Sequence, residues 1–260
     1  MNELLSIARE VAANAAAVVM KGYRASVEAT EKGRADLVTD YDLASERLIR
    51  EQLAARTPHI PIVGEEQGGT LGEELTWVCD PIDGTTSFVH GLQYFCVSIG
   101  MHERGRAVLG AIVAPALGVT WYGGEGLGAW RQEGSSPAAP CRVSRTAQLG
   151  DSLVATGFHP ASRGKPPHDN LASFATVMQH VQDIRRCGSA ALDLCMVADG
   201  TYDAYWERFL NPWDVMGGAA IVEAAGGRIT HMNGGPVDLS HGHLLASNGL
   251  VHDALLARLR

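Results

Sequence analysis

The segment Trp77–Gly91 reads WVCDPIDGTTSFVHG and places Asp80, Asp83, Thr85 and Thr86 within seven residues, behind an apolar run. Two carboxylates this close at the end of a strand repel each other and lose solvation. A plain turn needs no second acid and no threonine pair. Hard divalent cations, by contrast, want several oxygen ligands, carboxylates above all. Pro81 fixes φ and bends the chain after the strand, so that Asp80 and Asp83 can face one point with the Ile82 carbonyl between them. Gly84 lets the backbone approach a ligand. Thr85 and Thr86 open a helical turn whose free N–H groups can hold a phosphate. The chemistry implied is a phosphate site built from Mg²⁺ on one side and a helix start on the other.

Three further pieces share this acidic character: DLVTDYD (Asp36, Asp40, Asp42), GEE (Glu65, Glu66) and PWD (Asp214). Taken singly, each has a plainer reading. An acid before a helix is an N-cap, GEE is a solvated turn, and DLVTDYD is a capping cluster. The order and conjunction of all four pieces carry the argument. The histidines add little. His241 and His243 form an H-x-H with no cysteine close by and read as a surface loop. His90 reads either as lining a pocket mouth or as structural.

The elements that must position these acids are legible in outline. Residues 1–22 have one apolar helical face (Leu4, Ile7, Val11, Ala15, Val18). VTDYDLASERLIREQLAAR is a second helix, with Thr39 or Asp40 as N-cap. IPIVG, TWVCD and YFCVSIGMHE read as strands, and residues 106–134 as a meander of two or three antiparallel strands. GGEGLGAW fits a dinucleotide fingerprint only in its weaker form, with no helical pattern after it, so it reads as a hairpin turn. After the loop SRGKPPHDN come helical patterns at 171–184 and 188–200, a strand YDAYW, and a helix from Trp213 or Asp214 to about Ala225. A strand HLLASN and a final helix LVHDALLARLR close the chain. Such mixing, without strict βαβ alternation, suggests stacked helix and sheet layers rather than a barrel.

With 260 residues, 46% apolar and 19% charged, the chain can bury a large core, and one large α/β domain can hold it. A net charge of −8 argues against non-specific binding to nucleic acid or an anionic membrane. Five cysteines without a C-x-x-C suggest reduced thiols and a cytoplasmic setting.

DPIDGTTSFVHG resembles the first signature of the inositol monophosphatase family of metal-dependent phosphatases, with Ser87 where Asn is usual. WDVMGGAAIVEAAGG resembles the second, and GEE and DLVTDYD fall at the expected places upstream. The resemblance runs from about Lys32 to the C-terminus. It implies an αβαβα sandwich over residues 1–260, usually a homodimer and often inhibited by Li⁺. It implies on the order of two or three Mg²⁺ held by Glu65, Asp80, the Ile82 carbonyl, Asp83 and Asp214. Thr85 and Asp42 match the pair that orients the attacking water together with Glu65. The Gly84 and Thr85 amides match the phosphate cradle, and Asp83, Ala190 and Glu207 match positions that meet substrate hydroxyls.

The implied substrate is a small phosphorylated polyol, inositol monophosphate first. Histidinol phosphate and fructose 1,6-bisphosphate are the sister alternatives. A nucleotide 3′-phosphatase is disfavoured by Thr86, where such relatives usually carry Lys. A binding protein of the transcription machinery is the alternative from another class. Three departures stand out: Met216 replaces a small residue, EAAGG moves the acid to Glu223, and Lys32 aligns with a basic family position only across a one-residue deletion.

Overall fold

The computed structural model describes residues 1–33, 36–166, 169–240 and 242–259. Helices α1 (Asn2–Val19) and α2 (Asp40–Arg56) pack on each other, and the exposed hairpin β1 (Ala29–Gly33) with β2 (Asp36–Thr39) lies between them in sequence. A seven-stranded sheet follows in the order β3 (Ile62–Gly64), β4 (Thr76–Asp83), β5 (Cys96–Glu103), β6 (Arg106–Ala114), β7 (Val119–Gly124), β8 (Gly128–Glu133) and β9 (Ala139–Pro140). Only the β3–β4 pair in it is parallel. The short helix α3 (Thr85–Val89) leaves the end of β4.

The second half contributes strands β10 (Leu153–Thr156), β11 (Asp183–Arg185), β12 (Ala204–Leu210), β13 (Arg228–His231) and β14 (Gly242–Ser247). They form a sheet in the order β11-β10-β12-β14-β13. Helices α4 (Leu171–Val177), α5 (Ala190–Ala198), α6 (Pro212–Ala224) and α7 (His252–Leu259) complete the fold.

The elements stack as five layers. Helices α1 and α2 cover one face of the large sheet, α5 and α6 lie between the two sheets, and α4 and α7 pack together on the outer side of the small one. Three apolar clusters match these interfaces. Strand β4 is buried along its whole length because helices cover both its faces, which is why it reads as an apolar run rather than an alternation. Helix α6 lies unusually close to the sheet. A Cβ on Gly110 would sit 2.1 Å from the Gly217 carbonyl oxygen, so this approach needs glycine on the sheet side. Met216 fits because the facing sheet residue is Gly100, where a Cβ would lie 2.9 Å from that of Met216.

Expectation and structure part at several places. TWVCD does not stop at Asp80. The strand continues to Asp83 through a register shift against β5, where Asp80 faces Ser98 and Asp83 faces Cys96. Pro81 has no N–H for the ladder, so the extra residue bulges out there. The helix expected over 171–184 ends at Val177, and Asp183–Arg185 pairs with β10 instead, with Val181 and Ile184 packed into the outer apolar cluster. The hairpin turn at GGEGLGAW is confirmed by the β7–β8 pairing. All five cysteines are free thiols. His241 lies outside the described residues, as do Pro167 and His168 of the SRGKPPHDN loop.

Candidate active site

The bulge in β4 carries the centre of the site. Asp80 and Asp83, two residues on either side of the kink, are both buried and both turn toward the start of α6. Ligand oxygens of Asp80, Asp83 and Asp214 lie within 4.8 Å of one another, close enough to share a cation. Asp80 Oδ1 accepts the Ile82 N–H at 2.9 Å, which fixes its rotamer. Asp83 Oδ2 accepts from the Ser189 hydroxyl and the Ala191 N–H, each at 2.7 Å, at the start of α5. Asp214 Oδ2 accepts the Asn211 N–H at 2.6 Å.

Beyond Asp83 the chain turns sharply. Gly84 has φ +94°, and a Cβ there would lie 2.8 Å from the Tyr94 carbonyl oxygen, so glycine alone fits. The turn starts α3, and the Thr85 hydroxyl lies 3.1 Å from Asp42 Oδ1 and 3.0 Å from the Ile82 carbonyl oxygen. Asp42 is fully buried. Its other oxygen accepts the Thr39 N–H at 2.8 Å and the Thr39 hydroxyl at 2.5 Å, closing a capping box with Thr39 as N-cap.

These groups face a cleft of about 710 Å³. Glu65, Asp80, Ile82, Asp83, Gly84, Thr85, Ala190, Glu207 and Asp214 all line it, so of the site residues that the family resemblance implies only Asp42 stands behind the wall, reaching the cleft through Thr85. Asp36 lines it as well. Glu65 is not in the tight three-acid cluster. Its carboxylate pairs with Lys32 Nζ at 2.8 Å, and the same ammonium reaches Glu66 at 2.7 Å. The structure thus brings Lys32 to the site despite its irregular spacing. Glu207 accepts the Tyr205 hydroxyl at 2.6 Å and makes no ion pair with Arg186 or Arg208. His90 is exposed, ends α3 and is not part of the cleft wall.

Burial dominates the electrostatics. It holds the Asp42 and Asp83 carboxyls up at about 6 even though both accept hydrogen bonds. Burial, with Asp83 and other acids near it, raises Asp214 well above the carboxylate range, and Asp80 is raised likewise by burial and by Glu65, Asp83 and Asp214. Glu65 is raised to about 7 by burial, with Lys32 opposing. The acids are therefore frustrated as they stand, and a cation among them removes the frustration.

Several functional neighbours escaped the sequence reading. Cys96 on β5 and Ser189 at the start of α5 flank Asp83, and the Ser189 contact spans 106 residues and leaves no local signal. Phe158, Arg163, Lys165 and Arg186 line the far side of the cleft from loops. Glu46, facing the GEE turn from α2, reads in sequence as one more surface acid of an amphipathic helix, yet it is fully buried.

Comparison with known proteins is decisive for the family. The family model described as Inositol monophosphatase family matches residues 1–260. An inositol-1-monophosphatase of Synechocystis sp. is 39% identical over 254 residues, covering 96% of this chain and 86% of the relative. A Nus factor SuhB of Pasteurella multocida is 36% identical over 264 residues, covering 100% of this chain and 97% of the relative. The solved inositol monophosphatase of Anabaena (Nostoc) sp. PCC 7120 superposes with a TM-score of 0.88 at 38% identity, covering 99% of this chain and 95% of that one.

Proposed function

The chain belongs to the inositol monophosphatase family of metal-dependent phosphatases, and from that premise we propose that it hydrolyses inositol monophosphate with Mg²⁺, as a single domain over residues 1–260. The observation that carries the proposal is the convergence of Asp80, Asp83 and Asp214 oxygens within 4.8 Å, beside the glycine-started turn of α3. The donor set is all oxygen and mostly anionic, which suits a hard cation and not zinc or copper. Asp80, Asp83, Asp214, Glu65 and the Ile82 carbonyl would hold it. Mg²⁺ bound there lowers the pKa of a water and stabilises charge on the phosphate and the leaving oxygen.

The chain's own groups supply the positioning. Gly84 and Thr85 line the cleft at the start of α3, where their N–H groups would cradle phosphate oxygens. Asp42, ionised above about pH 6, is a stronger acceptor for the Thr85 hydroxyl than the Ile82 carbonyl is. Donation to Asp42 leaves the Thr85 lone pairs free to accept a hydrogen bond from water on the cleft side. Glu65 accepts from that water in turn. In-line attack on phosphorus then breaks the bond to the alcohol oxygen, with no side-chain nucleophile required. Glu207 and Asp83 receive the substrate hydroxyls, and the Ala190 backbone completes that wall.

One relative carries the name Nus factor, which keeps a transcription role in view. An acid cluster this costly to maintain favours hydrolysis. Sensitivity to Li⁺, a homodimeric state and a cytoplasmic location are part of the same proposal. The free thiols suit the last, and among the described residues no helix is long and apolar enough to cross a membrane. The test is phosphate release from inositol, histidinol, sugar and nucleotide monophosphates and fructose 1,6-bisphosphate, with and without Mg²⁺. Fastest Mg²⁺-dependent turnover on inositol monophosphate is expected. Preference for another ester would reassign the substrate, and turnover indifferent to EDTA would defeat the metal reading.

A further inference from the structure

The turn that presents Glu65 is built around a buried carboxylate from another element. Gly64 N–H donates to the Gly68 carbonyl at 3.1 Å, leaving Glu65, Glu66 and Gln67 at the tip of a tight loop. The side chain of Glu46, on α2 and fully buried, enters this loop from behind. Its Oε2 accepts the Glu66 N–H at 2.7 Å and its Oε1 accepts the Gln67 N–H at 3.0 Å, so the loop amides form a nest around an anion. Arg50, one helical turn on, donates from Nε to Glu46 Oε1 at 2.7 Å. It then reaches over both ends of the loop, to the Ile62 carbonyl at 3.3 Å and the Gly68 carbonyl at 2.5 Å. A Cβ on Gly64 would lie 2.4 Å from Glu46 Oε1, so no larger residue fits between loop and carboxylate.

Every partner of the Glu46 carboxylate is a donor: one guanidinium and two backbone N–H groups. The pair does not touch the cleft. It acts on the one acid of the site that no strand or helix carries: Asp80 and Asp83 sit on β4, Asp214 on α6 and Asp42 on α2, whereas Glu65 sits on the loop after β3. In front, Lys32 pulls Glu65 and Glu66 toward the β1–β2 hairpin. Apart from the nest, the described contacts hold this loop only at its ends, through the Gly64–Gly68 bond and Arg50 on the Ile62 and Gly68 carbonyls, and leave the tip that carries Glu65 to that pull.

We propose that Glu46, braced by Arg50, is a positioning residue that fixes the aim of Glu65 into the cleft and so sets the affinity of the Mg²⁺ that Glu65 helps to hold. The inference rests on the reading of Glu65 as a metal ligand. Glu46→Gln keeps size and shape but turns one oxygen into an NH₂ that must face a backbone N–H or Arg50. The loop then opens, although the core below it is unchanged.

The test measures Mg²⁺ binding to the full-length protein by calorimetric titration and by the Mg²⁺ midpoint of the rise in melting temperature, beside the Mg²⁺ dependence of p-nitrophenyl phosphate hydrolysis. For Glu46→Gln the midpoint should rise about tenfold or more in all three, the scale set by partners that orient metal ligands, with kcat at saturating Mg²⁺ within about threefold. Arg50→Gln should move it the same way. Ile49→Val, a buried change on the same helix within the apolar cluster that α1 and α2 form on the large sheet, should lower the melting temperature and leave the midpoint in place. A midpoint within about twofold of wild type in both Glu46→Gln and Arg50→Gln overturns the proposal. So does a rise in Ile49→Val equal to theirs. Should Glu46→Gln not fold, Arg50→Gln decides alone. A wild-type protein with no Mg²⁺ midpoint at all would defeat the metal reading itself, and this proposal with it.

Discussion

Removing the cation should make this protein lose stability as pH rises through neutrality. Burial holds Glu65 and Glu207 at about 7 in the folded state, against 4.5 for a free glutamate, and holds Asp80 and Asp214 well above 3.8. The sign follows directly. Folded values lie above unfolded ones, so the native state binds more protons between them, and stability falls as pH rises across that window. Buried histidines act oppositely: His252, lowered to about 4, makes stability rise with pH until the unfolded value near about 6.5 is passed. The clean window is therefore about pH 6.5 to 8.0. A carboxyl held at about 7 gives up about 1 kcal/mol or slightly less there. Glu65 and Glu207 together come to about 1–2 kcal/mol, or about 2–8 °C in melting temperature at this chain length, and Asp80 and Asp214, held higher, add to the fall in the same direction. The assay is a set of thermal melts across that window in EDTA and in saturating Mg²⁺. In EDTA the melting temperature should fall. In Mg²⁺ the share of Glu65, Asp80 and Asp214 should vanish, because cation and proton compete for the same oxygens, leaving only the smaller fall that Glu207 contributes. Ionising thiols of the unfolded chain are common to both series and cancel in the comparison. A flat or rising EDTA series, or parallel falls in the two, would refute the argument.

Asp80→Asn should abolish Mg²⁺-dependent turnover and yet raise the melting temperature of the metal-free protein at pH 8, since it removes the most crowded buried charge; turnover near wild type in the purified variant would sink the shared-metal reading. Thr85→Val keeps the backbone N–H and loses the hydroxyl bonded to Asp42, so kcat should drop about a hundredfold while the dissociation constant of inorganic phosphate changes little; equal losses in both would make Thr85 a phosphate holder. Glu207→Ala should lower kcat/KM for inositol monophosphate about 10- to 100-fold and spare p-nitrophenyl phosphate, which lacks the hydroxyls; equal losses on both substrates would mean that Glu207 only supports the loop leading to Asp214.

What could be read from the sequence was the part encoded locally. The capped start of α2, the bend at Pro81 and the glycine-started turn are each set by residues adjacent in the chain, and their chemistry shows in residue type. The acids were legible because so many carboxylates in apolar contexts exceed what helix capping and turns alone require. What stayed hidden was carried by distant contacts. The exposed hairpin β1–β2 has no apolar alternation to reveal it, and its tie to the site runs through contacts distant in sequence, Lys32 on Glu65 and Glu66 among them. Residues 178–184 have a helix-like pattern, but pairing with β10 offers the backbone of Asp183–Arg185 a ladder that the pattern does not announce. Glu46 looks like any surface glutamate until the loop it nucleates is seen folding over it.

The capping role of Asp42 and Asp214 and the catalytic role proposed for them are compatible. Each is the third helical residue of a capping box, Thr39 to Asp42 on α2 and Asn211 to Asp214 on α6, and each ties one oxygen to the N-cap N–H. That bond stops the carboxylate from turning, so the remaining oxygen is aimed before any ligand arrives. The starts of α3 and α5 join them, the first at Thr85 and the second through the Ala191 N–H on Asp83. Four helix N-termini thus converge on one acidic cleft, in a chain of net charge −8. Each contributes the partial positive charge of its free N–H groups, worth about 0.3–1 kcal/mol to a nearby carboxylate and up to about 2 when partly buried. Bringing Asp83 alone from 3.8 to about 6 corresponds to about 3 kcal/mol, and that is the strain left after its N–H bonds are counted. The helices therefore make the cluster tolerable without making it comfortable, and the residual repulsion is what a divalent cation binding there would relieve.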